Sequence, residues 1–281
     1  MSKIISFYPQ GRFCNLVFQY IASKTLVYLI NCIIPDRCKY EYNAYDNSVV
    51  IRENSFYQLY SLVKNGTVKQ IIYNLYLDGF YQFDFYVIDQ IDYIRSLFTK
   101  DNTDQINEKV RVCDVAQAFE SYIPEYTEDD LVMHLRLDDF VNEGQNSFVI
   151  HPVSYINIIN EIQEKHNFKK IYIVVDKIRR VWEKEYVDRL LEELNEYNIE
   201  VLPTKDFLTD MSRIYHATNI LCSNSTFCWI PALLGKSKNN WMPDKNTCLN
   251  QNFYKINKDT RLYNVAYLKM TKEESIKQLD N

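Results

Sequence analysis

The chain has 281 residues, of which 47% are hydrophobic and 25% are charged, and its formal net charge at pH 7 is −5. This composition excludes a disordered or fibrous protein. The acidic balance, without a basic stripe, argues against a nucleic-acid partner held through its phosphates. The length suits one large α/β domain or two compact ones.

Membrane, export and metal signals are weak in the sequence. The apolar stretch from Leu26 to Pro35 is broken by Asn31 and is shorter than the run of about 18 apolar residues that a span needs. The first residues, Met1 to Ser6, lack the apolar core of a secretory signal. The seven cysteines, an odd number without a C-x-x-C pair, indicate reduced thiols and no zinc site. We therefore expect a cytoplasmic protein with no integral membrane segment.

The first part of the chain predicts a strand, a turn and a helix in succession. The strand covers Ile4 to Phe7, the turn Pro9 to Arg12, and the helix Phe13 to Ile30, where apolar residues recur at helical spacing. A strand followed by a glycine turn and a helix opens many nucleotide-binding α/β folds. A further helix is predicted from Val110 to Tyr122.

Strands and helices alternate regularly from Leu131 to Gly235. The predicted strands are Leu131–Leu135, Ile171–Val175, Ile199–Leu202 and Ile220–Cys222, and the predicted helices are Val153–His166, Val181–Tyr197, Phe207–His216 and Thr226–Leu234. Alternation at βαβ lengths predicts a parallel sheet. We expect an N-terminal lobe over residues 1–128, a C-terminal lobe over residues 129–250 and a tail over residues 251–281.

Polar groups follow the first predicted strand. The glycine of the segment Gly11-Arg12-Phe13-Cys14-Asn15 would let the backbone approach a ligand closely. Arg12 adds a cation and Asn15 an amide on the first helical turn. The structural alternative is a turn glycine beside a solvated arginine.

The segment His134-Leu135-Arg136-Leu137-Asp138-Asp139 ends a second strand. Alternation sends His134, Arg136 and Asp138 to one face, where a histidine and an arginine are costly unless they are paired or bind something. Arg136 could hold a diphosphate through its planar fork. The alternative is an Arg136–Asp138 ion pair beside a satisfied core histidine.

Hydroxyl groups follow the strand that ends at Cys222. Ser223-Asn224-Ser225-Thr226-Phe227 opens a predicted helix, where hydroxyls either cap the helix or bind an anion. Upstream, Asp206 and Asp210 flank a helix start, and a carboxylate can accept the paired N–H donors of guanine. The alternative for Asp210 is a solvated helix charge.

Five segments of the chain, in order, resemble the motifs of the α-1,2-fucosyltransferase family. They begin with Gly11 to Tyr20, which is similar to Gly-x-x-Gly-Asn-x-x-Phe-Gln-Tyr, and end with Ser223 to Trp229, which is similar to Ser-Asn-Ser-Thr-Phe-Ser-Trp. Between them lie Leu77 to Gln82, His134 to Phe140, and Ile171 to Asp176 with Trp182. Protein O-fucosyltransferases share similar first, second and last motifs.

The resemblance implies a GT-B-like α/β fold, with two Rossmann-like lobes and the donor in the cleft between an acceptor-side and a nucleotide-sugar-binding lobe. It implies inversion at the sugar C1, GDP-fucose as donor, a glycan acceptor and no essential metal. Since a Golgi enzyme of this kind would carry an anchor, we expect a bacterial or viral origin. The implied catalytic residues are Arg136, Asn15 and Asp139. The implied donor-binding residues are Gly11, Arg12, Phe13, Asn15, His134, Arg136, Asp176, Asp210, Asn224, Ser225, Thr226 and Phe227.

The sequence departs from the family pattern at several positions. Asp138 stands where the family has glycine, Cys14 replaces the second motif glycine, and Lys177 replaces the second Asp after Asp176. Two alternatives therefore stay open: a transferase that uses another nucleotide sugar, such as GDP-rhamnose or UDP-xylose, and a non-catalytic glycan-binding protein on a decayed transferase fold. Asp139, Asp138 and Glu143 are candidates for the general base, and the leaving phosphate is another.

Overall fold

The structure is a computed structural model that describes residues 2–68, 70–71, 73–137, 148–235, 237–244, 255–257, 259–270, 273–274 and 277. The chain divides into two compact units, Met1–Glu120 and Ser121–Asn281. The predicted boundary, after residue 128, lies in the loop that follows, before the first strand of the second unit.

The first unit contains a parallel four-stranded sheet in the order β2-β1-β4-β3. Its strands are β1 (Lys3–Phe7), β2 (Cys38–Tyr40), β3 (Ser48–Arg52) and β4 (Asn74–Asp78). Its helices are α1 (Phe13–Ile33), α2 (Glu53–Lys64), α3 (Asp84–Asp89), α4 (Ile91–Leu97) and α5 (Val112–Ser121), the last of which ends at the unit boundary.

Helix α1 forms the core of this unit. It packs against β1 and β2, and 61% of its most apolar 18-residue window is buried. α1 is long and apolar enough to cross a membrane, but the buried core helix of a globular unit has the same length and composition. The polar residue Asn31 is accommodated in this apolar helix because its side-chain amide makes two 2.8 Å hydrogen bonds with the backbone of Cys38, the first residue of β2.

The second unit contains a parallel six-stranded sheet in the order β10-β9-β8-β5-β6-β7. Its strands are β5 (Leu131–Leu135), β6 (Ile171–Val175), β7 (Ile199–Val201), β8 (Asn219–Leu221), β9 (Asn239–Pro243) and β10 (Arg261–Tyr263). Its helices are α6 (Pro152–His166), α7 (Val181–Glu193), α8 (Phe207–Tyr215) and α9 (Thr226–Leu234). Every residue of β5 and β6 is buried, as expected of central parallel strands.

The predicted α/β class with two Rossmann-like lobes is confirmed, because each unit is a parallel sheet with helical crossovers. Numbered within the second unit, the strand order is 3-2-1-4-5-6, the order of dinucleotide-binding sheets. The prediction of a separate tail from residue 251 differs from the structure. Residues 261–263 form β10, the edge strand of the second sheet, which pairs with β9. The Tyr263 hydroxyl donates to the Cys222 carbonyl at 2.7 Å and ties this segment to the rest of the unit.

Candidate functional site

The strand order of the second sheet reverses between β5 and β8. From β5 the chain builds outward through β6 to β7, and from β8 it builds in the opposite direction through β9 to β10. In open parallel sheets, ligands bind outside the carboxyl ends of the strands at such a switch point. The predicted segments that begin at His134 and at Ser223 follow these two strands.

His134 and Ser223 join the two sides of the switch point. The His134 Nδ1 atom lies 2.7 Å from the Ser223 Oγ atom, and the imidazole stacks on the Phe227 ring with centroids 5.5 Å apart. Burial lowers the pKa of His134 to about 3. The ring is therefore neutral at physiological pH, and its contact with Ser223 agrees with the structural alternative of a satisfied core histidine. A role for His134 in contacting a nucleotide stays a prediction.

Arg136 is held at the end of β5 by a carboxylate that follows β6. Its Nη1 atom donates to the Oδ2 atom of Asp176 at 2.6 Å, and the two side chains are 7% and 35% exposed. Asp176 reaches Arg136 because β5 and β6 are neighbouring strands. The alternative of an Arg136–Asp138 ion pair stays a prediction. Asp138, Asp139 and Glu143 lie outside the described residues.

The segment from Ser223 to Phe227 combines helix capping with a buried acceptor. The Ser225 Oγ atom accepts from the Phe227 backbone N–H at 3.2 Å and caps α9. Asn224 donates through Nδ2 to the Phe148 carbonyl at 2.9 Å. Its buried Oδ1 atom finds no hydrogen-bond partner among the residues that the structure describes. The capping interpretation is thus correct for Ser225. Thr226 is the first residue of the helix, and it is partly exposed.

Two buried thiols flank the same segment. The Sγ atoms of Cys222 and Cys228 lie 2.8 Å apart, one just after β8 and the other in the first turn of α9. This contact closes the loop that carries the predicted phosphate-binding hydroxyls. Both cysteines are free thiols.

Asp210 is buried rather than solvated. Its Oδ1 atom accepts from Arg213 Nη1 at 2.8 Å, and Arg213 also donates to the Pro203 carbonyl at 2.8 Å. Burial, together with the nearby charges of Asp176 and Asp206, raises the pKa of Asp210 to about 6, although Arg213 opposes the shift. Asp206 accepts from the Leu208 and Thr209 N–H groups at 3.0 Å and is the N-cap of α8.

The sequence analysis missed Arg213, which is fully buried and neutralises this acidic cluster. Asp and Arg three residues apart on a predicted helix are neighbours on its surface. That i, i+3 spacing was the available signal.

The first unit brings two further predicted segments together at the carboxyl ends of the neighbouring strands β1 and β4. The Asn15 Oδ1 atom accepts from Gln82 Nε2 at 2.9 Å, and Gln19 Nε2 donates to the Gly79 carbonyl at 3.0 Å. Gly11 has a φ of +76°, and a Cβ atom there would lie 2.3 Å from the Asn15 amide nitrogen. The turn therefore requires glycine.

The remaining predicted residues of this segment flank the helix start. Arg12 is the exposed N-cap residue of α1, and Phe13 is the first residue of the helix. The predicted site residues thus form two groups, one in each unit. Among the residues that the structure describes, no group of three His, Cys, Asp or Glu side chains could hold a metal ion.

No family model matches the sequence, and no curated protein matches it. The chain is similar to a point mutant of FUT1 from Arabidopsis thaliana in complex with GDP, at 12% identity and a TM-score of 0.46, over 84% of this chain and 69% of that one. It is also similar to the E. coli heptosyltransferase WaaC with ADP, at 11% identity and a TM-score of 0.45, over 93% of both chains. The chain is similar to POFUT1 in complex with GDP as well, at 10% sequence identity and a TM-score of 0.41, over 93% of this chain and 98% of that one. At identities and TM-scores this low, neither the roles of residues nor the substrates of these proteins can be transferred to this chain.

Proposed function

We propose that the protein is an inverting glycosyltransferase that moves L-fucose from GDP-fucose to a hydroxyl of a glycan, without an essential metal. The observation that supports this proposal most directly is the position of Arg136 and of the Ser223–Phe227 segment. They follow β5 and β8, the two strands that flank the switch point of a sheet with the dinucleotide-binding order.

The proposed reaction is a single displacement. The acceptor oxygen attacks C1 of the sugar while the bond from C1 to the β-phosphate oxygen breaks, and GDP leaves. Negative charge grows on the leaving phosphate. Arg136 meets this charge, and the N-terminal end of α9 adds N–H groups and a positive dipole end. The acceptor proton passes to a carboxylate or to the leaving phosphate.

Asp176 competes with the donor for Arg136. A guanidinium carries five N–H donors, more than one carboxylate can accept, so a diphosphate can bind beside Asp176 or displace it. Because Asp176 is about one-third exposed, solvent is available to its carboxylate when the pair opens. The proposal therefore requires the ion pair to open or to share its donors when the nucleotide binds.

Two polar groups are suited to the nucleoside. Asp210 carries a carboxylate next to the switch point, and a carboxylate accepts the two neighbouring N–H donors of guanine. The buried Asn224 Oδ1 atom, which has no partner within the described part of the chain, is an acceptor for a ribose hydroxyl. Filling that acceptor would remove the cost of leaving it unsatisfied.

The Arg136–Asp176 pair also favours a second candidate function, that of a non-catalytic glycan-binding protein. If the pair never opens, the guanidinium is structural and the transferase function is lost. The two candidates differ in whether the protein binds GDP.

The test measures GDP binding by calorimetry and donor hydrolysis with a panel of GDP-, UDP- and ADP-sugars. We expect GDP binding, and turnover of GDP-fucose above the other donors. Arg136→Ala should lower turnover by about 10²–10³, and Arg136→Lys should recover only part of it because it lacks the fork. Arg189→Ala, on the exposed face of α7, is the matched control.

Each outcome decides between the candidates. No binding at millimolar GDP would refute the transferase function and favour the glycan-binding protein. Hydrolysis of another donor with the same dependence on Arg136 would reassign the sugar but keep the enzyme class. Thermal unfolding of each variant shows whether a loss of activity is a loss of fold.

A further inference from the structure

A cavity lined by tyrosines lies in the first unit. Its volume is about 320 Å³, and its walls are Tyr8, Tyr45, Val50, Tyr76 and Asp78. Tyr8 follows β1 and Asp78 ends β4, so the cavity lies at the carboxyl ends of these two neighbouring strands. No predicted site residue lines it.

The loop between β2 and β3 builds one wall of this cavity. The Ala44 backbone N–H donates to Ser6 Oγ at 2.8 Å, and the Tyr76 hydroxyl donates to Asn43 Oδ1 at 2.9 Å. Asn43 has a φ of +50°, which asparagine tolerates better than most residues. These bonds set Tyr45 across Tyr76, with ring centroids 4.7 Å apart and planes at 73°.

The rim of the cavity is exposed although its floor is buried. Tyr8 is 52% exposed and Tyr45 is 58% exposed, whereas Tyr76 is 4% exposed. Other tyrosines of this unit, such as Tyr20 and Tyr86, pack their rings together in the core and are fully buried. Exposed apolar surface that is gathered in one place marks a binding site more often than a scattered residue does.

The polar groups of the cavity favour a neutral ligand with hydroxyl groups. Asp78 is the charged side chain among the lining residues, and its Oδ1 atom accepts from Gln10 Nε2 at 2.6 Å. Burial raises the pKa of Tyr76, and the nearby Tyr8, Tyr45 and Asp78 raise it further. A phosphate or carboxylate ligand would be repelled by Asp78.

A sugar ring matches this combination of surfaces. The C–H face of a pyranose packs on aromatic rings, while its hydroxyls bond to phenol oxygens and to a carboxylate. The volume of about 320 Å³ is near the lower end of ligand cavities, roughly 300–1,000 Å³, and suits one or two rings. The Tyr76 hydroxyl already bonds to Asn43 and the Asp78 carboxylate to Gln10, but both keep lone pairs that can accept a further hydrogen bond from a sugar hydroxyl and that an apolar ligand would not use.

We propose that Tyr8, Tyr45, Tyr76 and Asp78 form a binding site for a neutral sugar ring. That this sugar is part of the glycan acceptor rests on the proposed transferase function, but the binding itself does not. Tyr8 and Tyr45 form the rim against which the ring packs, and Asp78 binds its hydroxyls.

The experiment measures saturation-transfer NMR from the protein to three probes: methyl β-galactoside, methyl α-glucoside and lactose. We expect at least one probe to receive saturation with a millimolar dissociation constant. Tyr45→Ala should weaken that binding by about tenfold, Tyr45→Phe by less, and Asp78→Asn should weaken it without removing the aromatic rim. Tyr73→Ala is the control, because Tyr73 is 56% exposed in the same unit and does not line the cavity.

Two results would overturn the proposal: no transfer to any of the three sugars, or transfer that is equal in wild type, Tyr45→Ala and Tyr8→Ala. GDP calorimetry on the same samples separates this proposal from the transferase function. Sugar binding that depends on Tyr45 without GDP binding would refute only the transferase. GDP binding and turnover without sugar binding to the rim would refute only the site proposed here.

Discussion

The protonation state of His134 allows a quantitative test of the candidate site. The imidazole is buried between Ser223 and Phe227, and its pKa is lowered to about 3. In the unfolded chain a histidine has a pKa of about 6.5. Because the folded pKa is depressed, the neutral ring contributes stability above about pH 6.5, and this stability is lost as the pH falls towards about 3.

The size of the effect at mild acidity does not depend on the exact folded pKa. Between pH 6.5 and pH 5 the unfolded state gains a proton that folded His134 does not accept. Each pH unit is worth about 1.36 kcal/mol, so the penalty near pH 5 is about 2 kcal/mol. His134→Asn removes this group. We expect the loss of stability between about pH 7.5 and pH 5 to be about 2 kcal/mol smaller in the variant.

The assay is urea unfolding of wild type and His134→Asn at both pH values, and the quantity of interest is the difference between the two pH-dependent changes. Other titrating groups cancel in that difference. If the variant does not fold, NMR titration of the ring protons in wild type gives the same information. A His134 midpoint between about pH 5 and pH 8 would refute the assignment of a buried neutral ring at the switch point.

Three further predictions concern the groups around this site. Arg213→Met should lower the free energy of unfolding by about 3–5 kcal/mol, because it leaves buried Asp210 without its cation. Chemical denaturation of the double variant Arg213→Met/Asp210→Asn should show that part of this stability is recovered. The pKa of Asp210 is raised to about 6, so its contribution to stability is present below about pH 4 and is lost as the pH rises through about 6. In Asp210→Asn we therefore expect the melting temperature to vary less with pH over this interval. A pH dependence of the melting temperature equal to that of wild type would contradict the raised pKa. Gly235→Ala should destabilise the second unit by more than about 1 kcal/mol, because its Cβ atom would lie 2.1 Å from the Tyr215 carbonyl oxygen, and a melting temperature equal to wild type would contradict this packing.

Much of the second unit follows from local sequence patterns. The continuous apolar runs of β5 and β6 were predicted with the bounds that the structure shows, because central parallel strands are buried on both faces. Helix α7 ends at Glu193, although the sequence predicted it to Tyr197, since α7 lacks a sharp stop signal there. The strands β2, β3 and β4 escaped prediction. β2 has only three residues, and the exposed residues Val49 and Val50 in β3 break the pattern of a buried strand.

The sequence by itself determined the α/β class, the glycine turn before α1 and the polar groups at the strand ends. These features depend on backbone sterics and on apolar periodicity, which neighbouring residues decide. Only the tertiary structure decided that His134 meets Ser223, that Arg136 pairs with Asp176, and that tyrosines from separate segments enclose one cavity. These contacts depend on the order and register of strands that lie far apart in the chain, and local propensity does not encode that order.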